Sequence, residues 1–280
     1  MGKLERLQEI LRSYESVLVA FSGGVDSAFV LKAARDVLGR DHAKAVTAES
    51  ESLPARELAQ ARHLARGLDV EHRVVRTHEF KNPDYRSNPT NRCYFCKSGL
   101  YQVLLPIANE WGSRVIANGT NTDDLGDFRP GLRAAHENQI KSPLVEAGLS
   151  KQEVREFARR IGLPVWAKPA SPCLSSRIPY GEEITDEKLR QIERGENFLK
   201  DLGLQVVRLR HFGRKVRLEL GHEEFVAVMD PALREKITGF IRSLGFKTVV
   251  LEPYQPGNLN QNVGAYSRTP LHLANGQERL

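Results

Sequence analysis

Residues 17–27 read VLVAFSGGVDS and predict a strand, a tight turn and a helix in immediate succession. The five apolar residues 17–21 are typical of a short buried strand, and the apolar spacing of residues 28–38 is typical of a helix. The turn Ser22-Gly23-Gly24 separates the two. Glycines let the backbone approach a phosphate closely, and the first N–H groups of a helix point at such an anion. The stretch therefore predicts a phosphate-binding loop.

This loop carries an acid and lacks the lysine of a Walker A loop. A loop of the form GxxxxGK[ST] sets its lysine on the β- and γ-phosphates, whereas this one contains Asp26. A carboxylate beside a phosphate cradle suits Mg²⁺, which takes oxygen ligands. The hydroxyls of Ser22 and Ser27 add hydrogen-bond donors. The alternative is a glycine turn that Ser and Asp cap without any ligand.

The six residues SGGVDS resemble the signature of the PP-loop ATP pyrophosphatases, which cleave ATP between its α- and β-phosphates. The resemblance implies transfer of AMP to a substrate oxygen while the loop holds pyrophosphate. It also implies ATP and Mg²⁺ as ligands and Asp26 as a catalytic residue. The nucleotide-binding residues of the loop would be Ser22, Gly23, Gly24, Asp26 and Ser27.

Composition and charge narrow the class of protein. The chain has 280 residues, of which 40% are hydrophobic and 27% are charged, as in an ordinary soluble globular protein. No apolar run approaches the length of about 18 residues that spans a bilayer. Residues 1–16 have the pattern of an amphipathic helix and not of a signal peptide, so we expect a cytoplasmic protein without a membrane partner. The net charge is +6, but the basic residues are scattered along the chain, which does not favour a nucleic-acid partner.

Further along the chain, predicted strands alternate with predicted helices. Strands are expected at residues 43–48, 70–75 and 113–117, with a helix at 54–68 between the first two. This alternation predicts an α/β fold with a doubly wound parallel sheet, which binds ligands beyond the carboxyl ends of its strands. The motif S-x-x-E at Ser150 predicts a capping box that begins another helix.

A second, smaller α+β domain is expected after a proline-rich segment at residues 162–181. Its predicted elements are helices at 186–202 and after Pro231, and strands at 205–210, 215–220 and 247–251. The expected domains are a PP-loop domain at residues 1–180, a substrate-binding and oligomerisation domain at 181–255, and a poorly ordered tail at 256–280.

Polar residues directly follow the predicted fourth strand, in the order NGTNTDD. Carboxylates and amides beyond a strand end suit contacts to Mg²⁺ or to a ribose. The residues that we expect to join the nucleotide site are Gly119, Thr120, Asp123 and Asp124. The alternative is an Asn/Asp/Gly turn without a ligand.

The chain contains three cysteines, and an odd number points to metal or catalytic use and away from a disulfide framework. Cys93 and Cys96 form C-x-x-C at the start of a predicted helix, where the helix dipole lowers the pKa of a thiol. A redox pair and an idle pair both remain open, whereas zinc usually takes four such ligands.

Cys173 lies in the proline-rich segment, which we expect to be exposed. Arg177 and Lys168 are close in sequence and would favour its thiolate. The alternative is a buried structural cysteine.

Four further segments carry a more specific resemblance. NPTNRCYFCK, NGTNTDDLGDFRPGLRAA, KSPL and PCLSSRIPYGEEIT resemble the LarE family over about residues 1–255. This family comprises PP-loop sulfur transferases of nickel-pincer (lactate racemase) cofactor synthesis. It adenylates the carboxylates of a small-molecule substrate, pyridinium-3,5-biscarboxylic acid mononucleotide, and converts them to thiocarboxylates. The resemblance implies an ATP-dependent sulfur transferase that forms a homo-oligomer, with Arg177 among its nucleotide-binding residues.

The same resemblance leaves two sources of sulfur open. Cys173 corresponds to the family's sulfur-bearing cysteine, which would make it a catalytic residue. In members with that cysteine alone, its sulfur is surrendered and dehydroalanine remains. Because Cys93 and Cys96 are also present, the chain resembles the three-cysteine branch, in which these residues and Cys173 would ligate a [4Fe–4S] cluster. The unligated iron of such a cluster can carry an extra sulfide.

Residues 205–210 predict a strand on which Arg208 and Arg210 share one face. One interpretation is a solvated sheet face. The family resemblance implies instead that these two arginines bind the phosphate of the substrate, for which guanidinium forks are suited. The sequence does not decide whether Arg217 and Glu219 join that site.

Three other functions stay open at this point. A tRNA-thiolating or lysidine-forming PP-loop enzyme would need a basic nucleic-acid surface. A nucleotide-sensing protein would bind ATP without turnover. An amide-forming ligase of the NAD synthetase type would not need Cys173.

Overall fold

The computed structural model of the protein describes residues 2–126 and 130–255. The chain divides into two compact units, Met1–Pro172 and Cys173–Leu280. This division lies in the same proline-rich segment as the domain boundary expected near residue 180. The expected tail at 256–280 lies outside the described residues. Of the helices in the described ranges, none is both long and apolar enough to cross a membrane.

The first unit alternates strands with helices, as predicted. Its described strands are Val17–Ala20 (β1), Ala43–Glu49 (β2), Glu71–Arg76 (β3) and Val115–Ala117 (β4). Its described helices are Lys3–Tyr14 (α1), Val25–Leu38 (α2), Ala55–Gly67 (α3), Pro83–Arg86 (α4), Arg92–Glu110 (α5), Pro130–Glu137 (α6), Pro143–Glu146 (α7) and Lys151–Arg160 (α8).

These four strands form a parallel sheet in the order β3–β2–β1–β4. Val17 of β1 pairs with Ala43 of β2 on one side and with Val115 of β4 on the other. The helices that connect parallel strands cover both faces of such a sheet, which explains the unbroken apolar run of β1. Because the strands are parallel, the segments that follow β1, β2 and β4 leave the sheet at one edge.

Each face of the sheet is covered by its own hydrophobic core. On one face, Val17 and Val19 belong to a cluster with residues of α1, α2, α3 and α8. On the other face, Leu18 and Ile116 belong to a cluster with residues of α5 and α6. Helices therefore cover both faces, and the prediction of a doubly wound α/β sheet is confirmed.

The second unit, taken by itself, is a small α+β domain. Its described strands are Val207–Phe212 (β5), Lys215–Leu220 (β6) and Thr248–Pro253 (β7), and its described helices are Asp186–Asp201 (α9), His222–Ala227 (α10) and Pro231–Ser243 (α11). β5 is antiparallel to β6, and β6 is parallel to β7.

The first strand of this unit starts two residues later than predicted. The N–H groups of Gln205 and Val206 donate to Glu224 Oε1 at 3.1 and 3.0 Å. These donors are engaged by a side chain, so the sheet ladder begins only at Val207.

The predicted capping box is present at the start of α8. Ser150 Oγ accepts the Glu153 N–H at 3.3 Å, and Glu153 Oε2 accepts the Ser150 N–H at 2.9 Å. Lys3 Nζ of α1 lies 2.7 Å from Glu153 Oε1. The hydrogen bond from Lys3, followed by those from Ser150, lowers the pKa of Glu153 to about 2.

We expect Glu153→Gln to lower the free energy of unfolding by about 1 kcal/mol at neutral pH, because the amide loses the charge and weakens the capping box. The folded-state pKa of about 2 lies below the ordinary value of 4.5, so this stabilisation is complete above pH 4.5 and is lost as the pH falls towards 2. Urea unfolding of wild type and variant should therefore converge across that window. Glu156→Gln, on the same helix, is the control, and equal effects of the two substitutions would contradict the role of the capping box.

Candidate functional site

The helix after the glycine loop begins without a side-chain cap. α2 starts at Val25, and its N-cap is Gly24, whose backbone is extended at φ −78° and ψ 161°. The hydroxyls of Ser22 and Ser27 lie 3.1 Å apart, and the Gly24 N–H donates to Ser22 Oγ at 3.3 Å. An uncapped helix start flanked by two hydroxyls offers donors to a phosphate.

Gly23 allows the loop to turn against α3. Its φ is +72°, a conformation that side-chain-bearing residues rarely adopt, and a Cβ atom here would lie 3.0 Å from Ala61 Cβ and 3.1 Å from Ala61 Cα. Both the backbone conformation and the close approach therefore require glycine. The loop is held against the helix that follows β2.

Asp26, in the first turn of α2, is contacted from two other segments. Lys151 Nζ, at the first residue of α8, forms an ion pair with Asp26 Oδ2. Asn121 Nδ2 lies 3.5 Å from Asp26 Oδ1. The side chains of Asp26 and Lys151 are 22% and 33% exposed, so a ligand can still reach them.

The segment after β4 packs directly on the first turn of α2. A Cβ atom at Gly119 would lie 2.5 Å from Ser27 N and 2.9 Å from Ser27 Cα, which leaves no room for a side chain. The Thr120 N–H donates to Asn118 Oδ1 at 3.0 Å, which holds the segment in its turn. The residues predicted from two distant motifs therefore lie side by side.

The two acids of this segment are already hydrogen-bonded. Asp123 Oδ2 accepts the backbone N–H of Lys151 at 3.2 Å. Asp124 Oδ2 accepts the backbone N–H of Asn121 at 3.0 Å. Asp123 thus ties the segment to the start of α8, beside Asp26.

Lys151 is the residue of this site that the sequence analysis missed. A lysine at the first position of a helix is unfavourable with respect to the helix dipole. Its position directly after the N-cap residue Ser150 therefore indicated that this lysine pairs with a residue outside its own helix.

None of the three cysteines is in a disulfide bond, and they lie in two different units. Cys93 is exposed and Cys96 is half-buried near the start of α5, and Cys96 Sγ lies 3.9 Å from Glu79 Oε1. Cys173 is half-buried and is the first residue of the second unit. Within the described ranges, no three His, Cys, Asp or Glu side chains come together as a metal site.

The expectation that the segment around Cys173 is exposed is wrong for the residues that follow it. Leu174, Ser175, Ser176 and Arg177 are all buried. Arg177 forms a bidentate ion pair with Glu196 at 2.8 and 3.0 Å, and it also donates to the carbonyl of Cys173 at 3.1 Å. These bonds offset part of the cost of taking the guanidinium out of water.

The two cations expected to favour the Cys173 thiolate each have a carboxylate partner. Lys168 Nζ lies 2.7 Å from Glu57 Oε2 in the first unit. Arg177 is paired with Glu196 in the second unit. Neither is therefore an uncompensated positive charge.

Arg208 and Arg210 lie on a buried face of the second unit and not on a solvated one. Each is only 7% exposed. Arg210 Nε donates to Glu219 Oε2 at 2.9 Å and its Nη1 donates to the carbonyl of Ser176 at 2.9 Å. The guanidinium of Arg208 lies 5.5 Å from the ring centre of Tyr254.

This buried face carries more positive than negative charge. Glu219 also pairs with Arg217 at 3.0 Å, and Glu196 with Arg177. Burial, followed by the charge of Arg177, lowers the pKa of Arg208. The cations are Arg177, Arg208, Arg210 and Arg217, and the carboxylates that accompany them are Glu196, Glu219 and Glu252, the last at 3.6 Å from Arg217 Nε. An anion would relieve the excess.

Comparison with known proteins agrees with this geometry. A model described as NAD synthase matches residues 5–84, which include the glycine loop. An uncharacterised protein of Synechocystis sp. is 47% identical over 93% of this chain and 97% of its own length. The pyridinium-3,5-bisthiocarboxylic acid mononucleotide synthase of Lactiplantibacillus plantarum is 34% identical over 93% of this chain and 95% of its own length.

The chain belongs to the LarE family. It is therefore an ATP-utilising sulfur transferase with a PP-loop fold. The tRNA-specific 2-thiouridylase of Zymomonas mobilis is also similar, at 26% identity over 81% of this chain and 74% of its own length. This similarity extends well beyond the glycine loop.

We expect Gly119→Ala to weaken ATP binding at least about tenfold, because the new Cβ must push the segment away from the first turn of α2. Calorimetric titration with Mg-ATP measures this effect, and a melting curve shows whether the variant is folded. Gly126→Ala is the matched control, because a Cβ there meets nothing within 4 Å. Unchanged ATP affinity in the folded Gly119→Ala protein would contradict the assignment of this segment to the nucleotide site.

Proposed function

We propose that this protein converts the carboxylates of pyridinium-3,5-biscarboxylic acid mononucleotide to thiocarboxylates, with ATP as the activating substrate. The observation that carries the proposal is the convergence of Ser22, Asp26 and Gly119 at one edge of the parallel sheet in a chain of this family. The substrate class follows from the name of the Lactiplantibacillus plantarum relative, which is the synthase of the corresponding bisthiocarboxylic acid mononucleotide.

The first step is adenylation of a substrate carboxylate. A carboxylate oxygen attacks the α-phosphorus, the bond between that phosphorus and the bridging oxygen breaks, and pyrophosphate leaves. The uncapped start of α2 and the hydroxyls of Ser22 and Ser27 hold the departing pyrophosphate through hydrogen bonds. Activation is required because a carboxylate oxygen is a poor leaving group, whereas AMP is a good one.

Asp26 and Lys151 complement the nucleotide with opposite charges. Asp26 fits Mg²⁺, because its carboxylate is partly exposed beside the phosphate cradle. When bound, Mg²⁺ neutralises charge on the phosphates. The ammonium group of Lys151 lies beside Asp26 and can pair with phosphate oxygens. In a Walker A loop, a lysine of the loop itself has this role.

The second step replaces AMP by sulfur. A sulfur nucleophile attacks the acyl carbon of the adenylate, the bond from that carbon to the AMP oxygen breaks, and AMP leaves. We propose Cys173 as the residue that delivers sulfur, either from its own side chain or as one of three thiolates around a [4Fe–4S] cluster. In the first case its Sγ forms a thioester with the acyl group, and the Cβ–Sγ bond then breaks with loss of the Cα proton, which releases the thiocarboxylate and leaves dehydroalanine. The donor set suits such a cluster, because three cysteine thiolates are typical iron ligands and none of Cys93, Cys96 and Cys173 is in a disulfide bond.

Arg208 and Arg210 are proposed to bind the phosphate of the mononucleotide. Their face of the second unit is buried and carries an excess of guanidinium groups, and Arg210 is preoriented by Glu219. Guanidinium groups bind phosphate through paired hydrogen bonds. We further propose that Arg177 does not contact the nucleotide itself and contributes to the site by holding the segment that begins at Cys173.

We also propose that the protein is cytoplasmic and that it forms a homo-oligomer.

We expect Arg208→Ala to weaken binding of the mononucleotide by about 1.5–3 kcal/mol, because one charged hydrogen-bonding group to its phosphate is removed. Isothermal calorimetry with the substrate alone measures this loss, and ATP affinity should stay the same. Arg214→Ala removes an exposed arginine between β5 and β6 and is the matched control. If folded Arg208→Ala binds the substrate with unchanged affinity, Arg208 has a purely structural role.

The decisive experiment is anaerobic turnover with Mg-ATP and the mononucleotide, followed by product analysis and intact-protein mass spectrometry. We expect pyrophosphate, AMP and a thiocarboxylate, with all three cysteines unchanged and repeated turnover when sulfide is supplied. Loss of one H₂S mass at Cys173, with Cys93→Ser/Cys96→Ser still active, would establish sacrifice of Cys173 in place of the cluster. Pyrophosphate release stimulated by tRNA, without a thiocarboxylate, would contradict the proposed substrate.

A further inference from the structure

Lys168 and Glu57 form an ion pair that the reaction described above does not use. Lys168 Nζ lies 2.7 Å from Glu57 Oε2, and their side chains are only 16% and 11% exposed. Surface ion pairs of this fold are more open, for example Lys32–Asp36 at 30% and 51%. Removing such a pair from water costs solvation free energy that the attraction between the two charges often does not repay. Stability alone is therefore a weak reason for its presence.

Both helices that support the glycine loop hold Lys168. Glu57 lies one helical turn before Ala61 on α3, and Ala61 is the residue against which Gly23 turns. Arg155 of α8 donates to the carbonyls of Trp166 and Lys168 at 2.8 and 2.7 Å. α8 is also the helix whose first residue pairs with Asp26. Lys168 is thus fixed, by its side chain and by its carbonyl, to the two supports of the nucleotide loop.

Only four residues separate Lys168 from Cys173, and two of them are Pro169 and Pro172. Chain geometry limits the distance between the Cα atoms of Lys168 and Cys173 to about 18 Å. Prolines restrict φ, so the linker is stiffer than an ordinary tetrapeptide. Fixing Lys168 therefore restricts where the sulfur-delivering cysteine can go.

We propose that the Lys168–Glu57 pair is a positioning device that fixes the base of the Cys173 linker to the supports of the nucleotide loop. The pair touches neither sulfur nor phosphate. Its role is to keep Cys173 within reach of the acyl-adenylate, so that sulfur transfer competes with loss of that intermediate to water. This inference rests on the proposed function.

The test compares two products of one reaction. Lys168→Met and Glu57→Gln should release pyrophosphate at nearly the wild-type rate, while thiocarboxylate formed per pyrophosphate falls at least about tenfold, because small misplacements of a reacting group are costly. Lys168→Arg should restore most of that ratio, and so should the reversed pair Lys168→Glu/Glu57→Lys. Lys32→Met, which breaks an exposed ion pair, is the matched control and should leave both rates unchanged.

Two outcomes would overturn the proposal. If pyrophosphate and thiocarboxylate fall by the same factor, the pair has only a general structural role. If Lys168→Met stops pyrophosphate release and the reversed pair does not restore it, Lys168 is a phosphate ligand.

A second measurement separates this inference from the proposed function. After removal of iron by a chelator, Mg-ATP should slow alkylation of Cys173 by iodoacetamide severalfold relative to Cys93, as resolved by peptide mass spectrometry. In Lys168→Met that protection should be lost, and its persistence would overturn the inference. If wild type makes no thiocarboxylate yet shows this protection, the proposed substrate is wrong and the positioning role stands.

Discussion

The parallel pairing of β1 with β4 is the constraint on which the nucleotide site depends. Leu18 pairs with Ile116 and Val19 pairs with Ala117, so two segments about a hundred residues apart leave the sheet at the same edge. Gly119 then lies against the backbone of the first turn of α2, closer than any side chain would allow. Asn121 of the same segment and Lys151 at the start of α8 both contact Asp26. Without this pairing, the glycine loop would be an isolated turn.

Charge is arranged differently in the two units. In the first, Asp26 and Lys151 form a partly exposed pair, which a ligand can rearrange because water still reaches both groups. In the second, Arg177–Glu196 and Arg210–Glu219 are almost fully buried, so their geometry is fixed by desolvation. The exposed pair can therefore rearrange when a ligand binds, whereas the buried pairs keep a fixed geometry.

The segment between the two units combines these features. Its first part is held by Lys168 and Arg155 in the first unit, and its last part by Arg177 in the second. Cys173 lies between these two sets of hydrogen bonds. If Cys173 delivers sulfur as proposed, its position on such a segment limits its freedom, which would help sulfur transfer to outcompete hydrolysis of an activated acyl group.

Much of the fold could be predicted from local pattern. The apolar run of β1, the alternation of strands and helices and the capping box at Ser150 depend on neighbours in sequence, and all were confirmed. The glycine loop and Gly119 could also be identified, because glycine is needed where a backbone approaches another backbone. Strand limits were less certain, since Glu224 takes the N–H groups of Gln205 and Val206 from the sheet.

The sequence by itself therefore determined the α/β sheet, the phosphate-binding loop and the family of the chain, because each depends on short motifs with a direct physical meaning. Only the tertiary structure decided that Lys151 faces Asp26, that Lys168 is bound to Glu57, and that the arginines of β5 are buried. A charged residue in a sequence shows its charge but not its partner. Burial and pairing of charges arise from contacts between distant segments, and no local pattern encodes them.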